Sequence, residues 1–228
     1  VGVGMGYNDK LMEQLADKGN GTCSYIDTVD EAKRIFCTGL TSTLQTVARD
    51  AKIQVHFDKK TVYRHRLVGY ENRKMAAKDF RNDKKDAGEV GAGHSVTALY
   101  ELMLTPYALR ERTANVSLAT VRVRFKDPVK ERVTEYQEEV TTENYHREYA
   151  KAPARFRLSA TVCRFAEVLR DRDGSEGKLL RQLEDDSWKL SFELADDKDV
   201  KEFAQIVKKV RRNLALNENR SQMKGAAD

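Results

Sequence analysis

The feature that most narrows the folds open to this chain is a polar, glycine-punctuated run over residues 83–94 that leads directly into an alternating segment, residues 95–104. Val96, Ala98, Tyr100, Leu102 and Leu104 would share one strand face, and Ser95, Thr97, Leu99, Glu101 and Met103 the other, because side chains alternate along a β-strand. Gly88, Gly91 and Gly93 permit positive φ angles and close backbone approach. The expectation is a tight turn feeding an anchored strand. No Gly-Lys-Ser/Thr ending follows these glycines, so they do not make a P-loop. Nor do they open a helix, as a dinucleotide fingerprint would. His94, at the strand entrance, is read as structural.

Before this run, Val1 to Val3 predicts a short buried strand and Asn8 a capped helix containing Leu11, Met12, Leu15 and Ala16, with Lys18 near its end. Asn20-Gly21 signals a turn before a strand over residues 22–26. Thr28 and Glu31 stand at capping-box spacing ahead of Ala32, Ile35, Phe36 and Leu40. Strand, helix, strand, helix makes an α/β fragment too short to be a complete doubly wound domain.

From Ala51 the period changes. Ile53, Val55 and Phe57 alternate with Lys52, Gln54 and His56, and Val121, Val123 and Phe125 with Arg122 and Arg124, the pattern of half-buried strands. A further strand is expected over residues 63–70, bent near Gly69. Together these predict a β-sandwich-like region over residues 49–135. Residues 136–152 read as a charged connector and 153–219 as a helical region. There, Pro153 opens a helix striped by Phe156, Ala160, Cys163, Ala166 and Leu169. Ser175 caps a second helix with Leu179, Leu180 and Leu183 inward, and Trp188 fills a groove. A third helix carries Phe203, Val207, Val210 and Leu214 on its apolar stripe. Residues 220–228 form a flexible tail. The expected class is α+β: a partial α/β unit over residues 1–48, then the β-sandwich-like region, then C-terminal helices.

Lys and Arg total 41 against 36 Asp and Glu, a net charge of +5 spread among interspersed signs. That balance implies solubility more than a concentrated nucleic-acid stripe. Cys23, Cys37 and Cys163 lack metal-site spacing and define no disulfide framework. No apolar run approaches the length needed to cross a membrane.

Residues 1–9 (Val-Gly-Val-Gly-Met-Gly-Tyr-Asn-Asp), residues 11–21, Tyr25-Ile26-Asp27 and Glu31-Ala32 resemble the closing portion of a bacterial von Willebrand factor type A domain. Residues 67–73, Asp79-Phe80 and residues 83–101 resemble the uncharacterised C-terminal region attached to such domains in a YfbK-like bacterial family. The resemblance implies that residues 1 to about 44 are the last part of a larger α/β domain. Its Asp-x-Ser-x-Ser cation loop is absent from this sequence, so no metal residue carries over and no cofactor is expected in this segment. It also implies a cell-envelope or secreted protein, with membrane contact only through an anchoring segment outside this sequence. Cys23, Cys37 and the basic run from Lys59-Lys60 to Arg66 depart from the family.

The expected function is a non-enzymatic protein-interaction or structural module. Its partners would be an unidentified protein and the missing N-terminal part of the A domain. Tyr70, Asn72, Arg73, Glu89 and His94 form the candidate surface, because they stand near strand ends. A hydrolase using His94 with Asp86, Glu89 or Glu101 is the enzymatic alternative, although Ser95 lacks a nucleophile-elbow sequence. Nonspecific nucleic-acid binding through Arg64, His65, Arg66, Arg73 and Lys74, with Tyr63 and Tyr70 stacking, is a third reading.

Overall fold

The computed structural model describes all residues except 4, 5, 7, 20, 22, 40–44, 70–74, 86, 111–114, 147, 171–175 and 226–228, and omits the side chains of 17, 38, 144, 176, 215 and 217–225. It is an α+β chain with parallel and antiparallel strands and three C-terminal helices. Two compact units are present: residues 1–65, 71–96 and 102–144, and residues 66–70, 97–101 and 145–228.

The first unit begins with β1 (Gly2–Val3) paired in parallel with β2 (Tyr25–Ile26) across helix α1 (Asp9–Lys18). The Asn8 side chain caps α1 by accepting from the Leu11 amide at 3.1 Å. Helix α2 (Val29–Lys33) is capped as its sequence predicts, with Thr28 Oγ1 accepting from the Glu31 amide at 3.2 Å. Glu31 does not return a bond to the cap. Its carboxylate takes the Arg34 guanidinium at 2.8 and 2.9 Å instead, and the chain continues into a π-helical turn, Arg34–Thr38.

A four-stranded antiparallel sheet follows, in the order β5-β3-β7-β8. Its strands are β3 (Thr46–Phe57), β5 (Gly88–Gly91), β7 (Ser117–Lys126) and β8 (Val133–Thr141). A bulge at Asp50, whose φ is 50°, shifts the register of β3 between Arg49 and Lys52. Strand β8 lies where the sequence reading begins its charged connector. It runs at the sheet edge, where water tolerates Glu138 and Glu139, so its alternation is hidden by charge. Strands β4 (Val62–Val68) and β6 (Leu99–Leu104) form a separate two-stranded sheet. The glycine-rich run also differs from expectation. Residues 88–91 are themselves a strand, Gly93 takes φ 81° in the turn that follows, and β6 starts only at Leu99. A short helix, α3 (Pro106–Arg110), leads toward β7.

In the second unit, helices α4 (Ala154–Arg170), α5 (Glu176–Glu193) and α6 (Lys198–Gly225) enclose a core of Phe165, Val168, Leu180, Leu183 and Val207, with Phe203, Val210 and Leu214 packed against it. The α6 stripe is the one its periodicity predicts. On α4 the buried stripe is Thr161, Phe165 and Val168, while Phe156 is 51% and Leu169 38% exposed. Burial of Thr161 is tolerated because its hydroxyl donates to the Arg157 carbonyl at 2.8 Å and meets the Tyr149 hydroxyl at 3.2 Å. Trp188 does not fill a groove: it is half-exposed.

Ion pairs join the ends of these helices. Arg157 clasps Glu193 with both terminal nitrogens and donates its Nε to the Ala152 carbonyl, and Arg155 pairs with Asp197. The hydrogen bond from Arg157 holds the Glu193 carboxyl below its usual range, and that from Arg155 does the same for Asp197. A carboxylate whose folded pKa is depressed adds stability above its unfolded pKa and loses it as pH falls through the folded value. The thermal midpoint is therefore expected to stay flat from neutrality to about pH 5 and to drop below about pH 4. Glu193→Gln should remove part of that drop in a melting series across pH.

Candidate interaction surface

The two faces of the four-stranded sheet differ in chemistry, and at one end of the sheet a crossing segment covers the polar face while the apolar face keeps exposed side chains. Cross-strand partners share a face. Lys52, Arg124 and Glu135 form one polar row, Gln54, Arg122 and Gln137 a second, and His56, Thr120 and Glu139 a third. The segment around residues 77–85 lies over the first two rows. Lys52 Nζ donates to the Asn82 carbonyl at 2.7 Å, Gln54 Nε2 to the Ala77 carbonyl at 3.3 Å, and Arg124 pairs with Asp83 at 2.7 Å. Arg81 reaches down to Glu135 with two bonds, at 2.7 and 3.2 Å. Under this cover Lys52 is only 4% exposed. The bond from Arg81 lowers the Glu135 pKa, and the bond from Arg124 lowers that of Asp83.

The opposite face carries Ile53, Val123 and Tyr136 in one row, Val55, Val121 and Glu138 in the next, and Phe57, Ala119 and Val140 in a third. Phe125 stacks on Tyr136 with ring centroids 6.0 Å apart, and Phe57 stacks on His65 at 4.3 Å. Part of this face meets solvent: Ile53 is 54%, Tyr136 63% and Val140 37% exposed, whereas Val55, Val121 and Val123 are half-buried and Ala119 is buried. Exposed apolar side chains on two strands of one sheet face suit a folded partner rather than a small molecule, which would need a concave site.

Of the residues singled out from sequence, Tyr70, Asn72 and Arg73 lie outside the described residues, as do Asp86 and Lys74. Glu89 sits on edge strand β5, where its carboxylate accepts from Thr46 Oγ1 at 3.2 Å and pairs with Arg49 at 3.9 Å. His94 is exposed, and its amide donates to the Gly91 carbonyl at 3.1 Å. Neither carboxylate of the hydrolase reading that is described is bonded to His94: Glu89 is engaged as above, and Glu101 pairs with Arg66 at 2.8 Å. Arg66 also pairs with Glu167 at 2.9 Å, so this residue of the basic stretch is already neutralised within the second unit. Nearby, burial raises the pKa of the Cys163 thiol, an effect to which the Glu167 charge adds. Among the described residues no group of three or more His, Cys, Asp and Glu side chains is gathered closely enough to hold a metal ion, and no helix is long and apolar enough to cross a membrane.

Sequence reasoning missed the polar network of Lys52, Arg81, Asp83, Arg124 and Glu135. Its signal was present: the positions between the apolar residues of β3 and β7 hold Lys52, Gln54, Arg122 and Arg124, long donors well suited to gripping a crossing backbone.

A family model described as the C-terminal region of the uncharacterised protein YfbK matches residues 42–213. Over 104 residues the chain is 44% identical to the uncharacterised protein YfbK of Escherichia coli (strain K12), a match that covers 45% of this chain and 18% of that protein. No solved structure matches the chain. The matched span runs from the start of the four-stranded sheet to Val210 of the α6 stripe and a little beyond, the part of the chain that holds both the network and the exposed apolar side chains, and this chain belongs to the YfbK C-terminal family.

Proposed function

We propose that the chain is a non-enzymatic protein-interaction and structural module of a von Willebrand A-type protein of the cell envelope. In this reading residues 1–48 are the end of the A domain, and the sandwich-like sheets and helices support and orient it. The observation that carries the reading is the group of exposed apolar side chains Ile53, Tyr136 and Val140 on one face of the sheet, an area a protein partner would seat upon. The N-terminal fragment supports it as well. Val3 is 70%, Leu15 58%, Val29 72% and Phe36 50% exposed, as expected where further strands and helices of an α/β layer would cover them.

The test is cross-linking and pull-down mass spectrometry on the full-length parent, comparing wild type with Ile53→Asp/Tyr136→Asp. The variant is expected to lose a reproducible partner while keeping its melting temperature. Identical partner lists would sink the reading. Hydrolase profiling of wild type and His94→Ala runs alongside, and turnover that disappears in the variant would replace an interaction role with a catalytic one.

A further inference from the structure

The helical unit carries a surface of a different kind. On α5, Trp188 is 48% and Phe192 66% exposed, and their rings meet edge to face with centroids 5.4 Å apart. On α6, Lys208 places its Nζ 5.8 Å from the Trp188 ring centroid, within the range of a cation–π contact. Lys201, Gln205, Lys208 and Arg212 follow one another at spacings that put them on one side of α6, and all are exposed. The pattern of ion pairs sets this stripe apart. Arg155, Arg157 and Arg211 each hold a carboxylate, whereas the side chains of Lys201, Lys208 and Arg212 make no hydrogen bond or ion pair among the described residues. Three cations without a carboxylate partner thus share the side of α6 from which Lys208 reaches the exposed aromatic pair.

We infer that this surface docks an acidic amphipathic helix of a partner protein, with an aliphatic side chain packed on the exposed outer side of the Trp188–Phe192 pair and carboxylates against Lys201, Lys208 and Arg212. The basic stripe runs about 16 Å along α6 at helical rise, which a second helix matches with carboxylates on successive turns. Charge complementarity selects the acidic partner and guides its approach. Two details favour a peptide over a nucleic acid or an anionic bilayer. Phe192 meets the indole edge to face and Lys208 caps it, forming a wedge rather than the flat platform on which bases stack. Asp185, three residues before Trp188 on exposed α5 surface, would repel a continuous phosphate array, whereas a helix can set a neutral or basic residue there. This inference extends the interaction reading to a second surface and does not rest on the sheet, so its failure would leave the Ile53 and Tyr136 comparison standing.

Trp188 is the single tryptophan of the chain, so its emission reports on this surface alone. Titrations would use a helical peptide of roughly 15 residues with a leucine stripe flanked by glutamates, the same peptide with lysines for glutamates, polyuridine RNA, and phosphatidylglycerol vesicles. The acidic peptide is expected to give a saturable blue shift. Lys201→Glu/Arg212→Glu, which leaves Lys208 and Trp188 in place, should weaken it by about tenfold or more without changing the helical circular dichroism. Lys208→Glu should weaken it as well. No saturable shift with the acidic peptide, an equal response to the lysine peptide, affinity unchanged by both variants, or tighter saturation by RNA or vesicles would each overturn the inference.

Discussion

Leu183→Ala is expected to destabilise the helical unit by about 2–5 kcal/mol, seen as a lower urea midpoint at unchanged slope when unfolding is followed by Trp188 emission. Leu183 is 1% exposed and belongs to the cluster formed with Phe165, Val168, Leu180 and Val207. Truncation there removes buried methyl groups and leaves a cavity whose walls, fixed by three helices, close only partly. The informative comparison is Phe156→Ala. Phe156 is the larger side chain, and it begins the stripe that sequence periodicity assigns to the interior. It is nonetheless 51% exposed, so its loss should cost less than about 1 kcal/mol. Equal losses at the two positions would mean that α4 packs on the stripe read from sequence.

Why periodicity succeeded on α6 and failed on α4 follows from what each helix offers. On α6 the aliphatic residues Val207, Val210 and Leu214 occupy one side and lysines and arginines much of the other, so a single orientation buries carbon without burying charge. Helix α4 presents two competing stripes: Phe156, Ala160, Cys163, Ala166 and Leu169, or Leu158, Thr161, Phe165 and Val168. The second contains a hydroxyl, which counts against it on any hydropathy reading. Tyr149 and the Arg157 carbonyl satisfy that hydroxyl, and Tyr149 comes from a short turn outside the helix. Helix caps at Asn8 and Thr28 were legible because their partners lie three residues away. The candidate surface was legible only in its ingredients. Alternation identified both faces of β3 and β7, but which face is covered depends on where residues 77–85 cross the sheet, and spacing along the strands holds no record of that. Trp188 was misplaced for a related reason: an indole has apolar bulk enough for a core and an N–H suited to a surface, and only the neighbouring Phe192 and Lys208 decide between them.

The sharpest consequence of the segment that crosses the polar face concerns adjacent residues on β3. Lys52→Ala is expected to cost about 1–3 kcal/mol, whereas Ile53→Ser should cost less than about 1 kcal/mol. On an ordinary half-buried strand the order would be the opposite, since burying a branched aliphatic side chain supplies the main stabilisation. Here Lys52 is 4% exposed and its amine holds the Asn82 carbonyl at 2.7 Å, while Ile53 keeps 54% of its surface in solvent. Removing the amine leaves that carbonyl without its donor under a segment tied down further by the Asp83–Arg124 and Arg81–Glu135 pairs. Amide hydrogen exchange would locate the damage, with faster exchange over residues 77–85 in Lys52→Ala and no change there in Ile53→Ser. Lys52→Met, which keeps the stem and omits the charge, should fall between them, because it spares the desolvation of an ammonium while still forfeiting the bond. If Ile53→Ser proved the more damaging substitution, the apolar face would be the covered one in solution, and the surface assigned to a partner would already be in use within the chain.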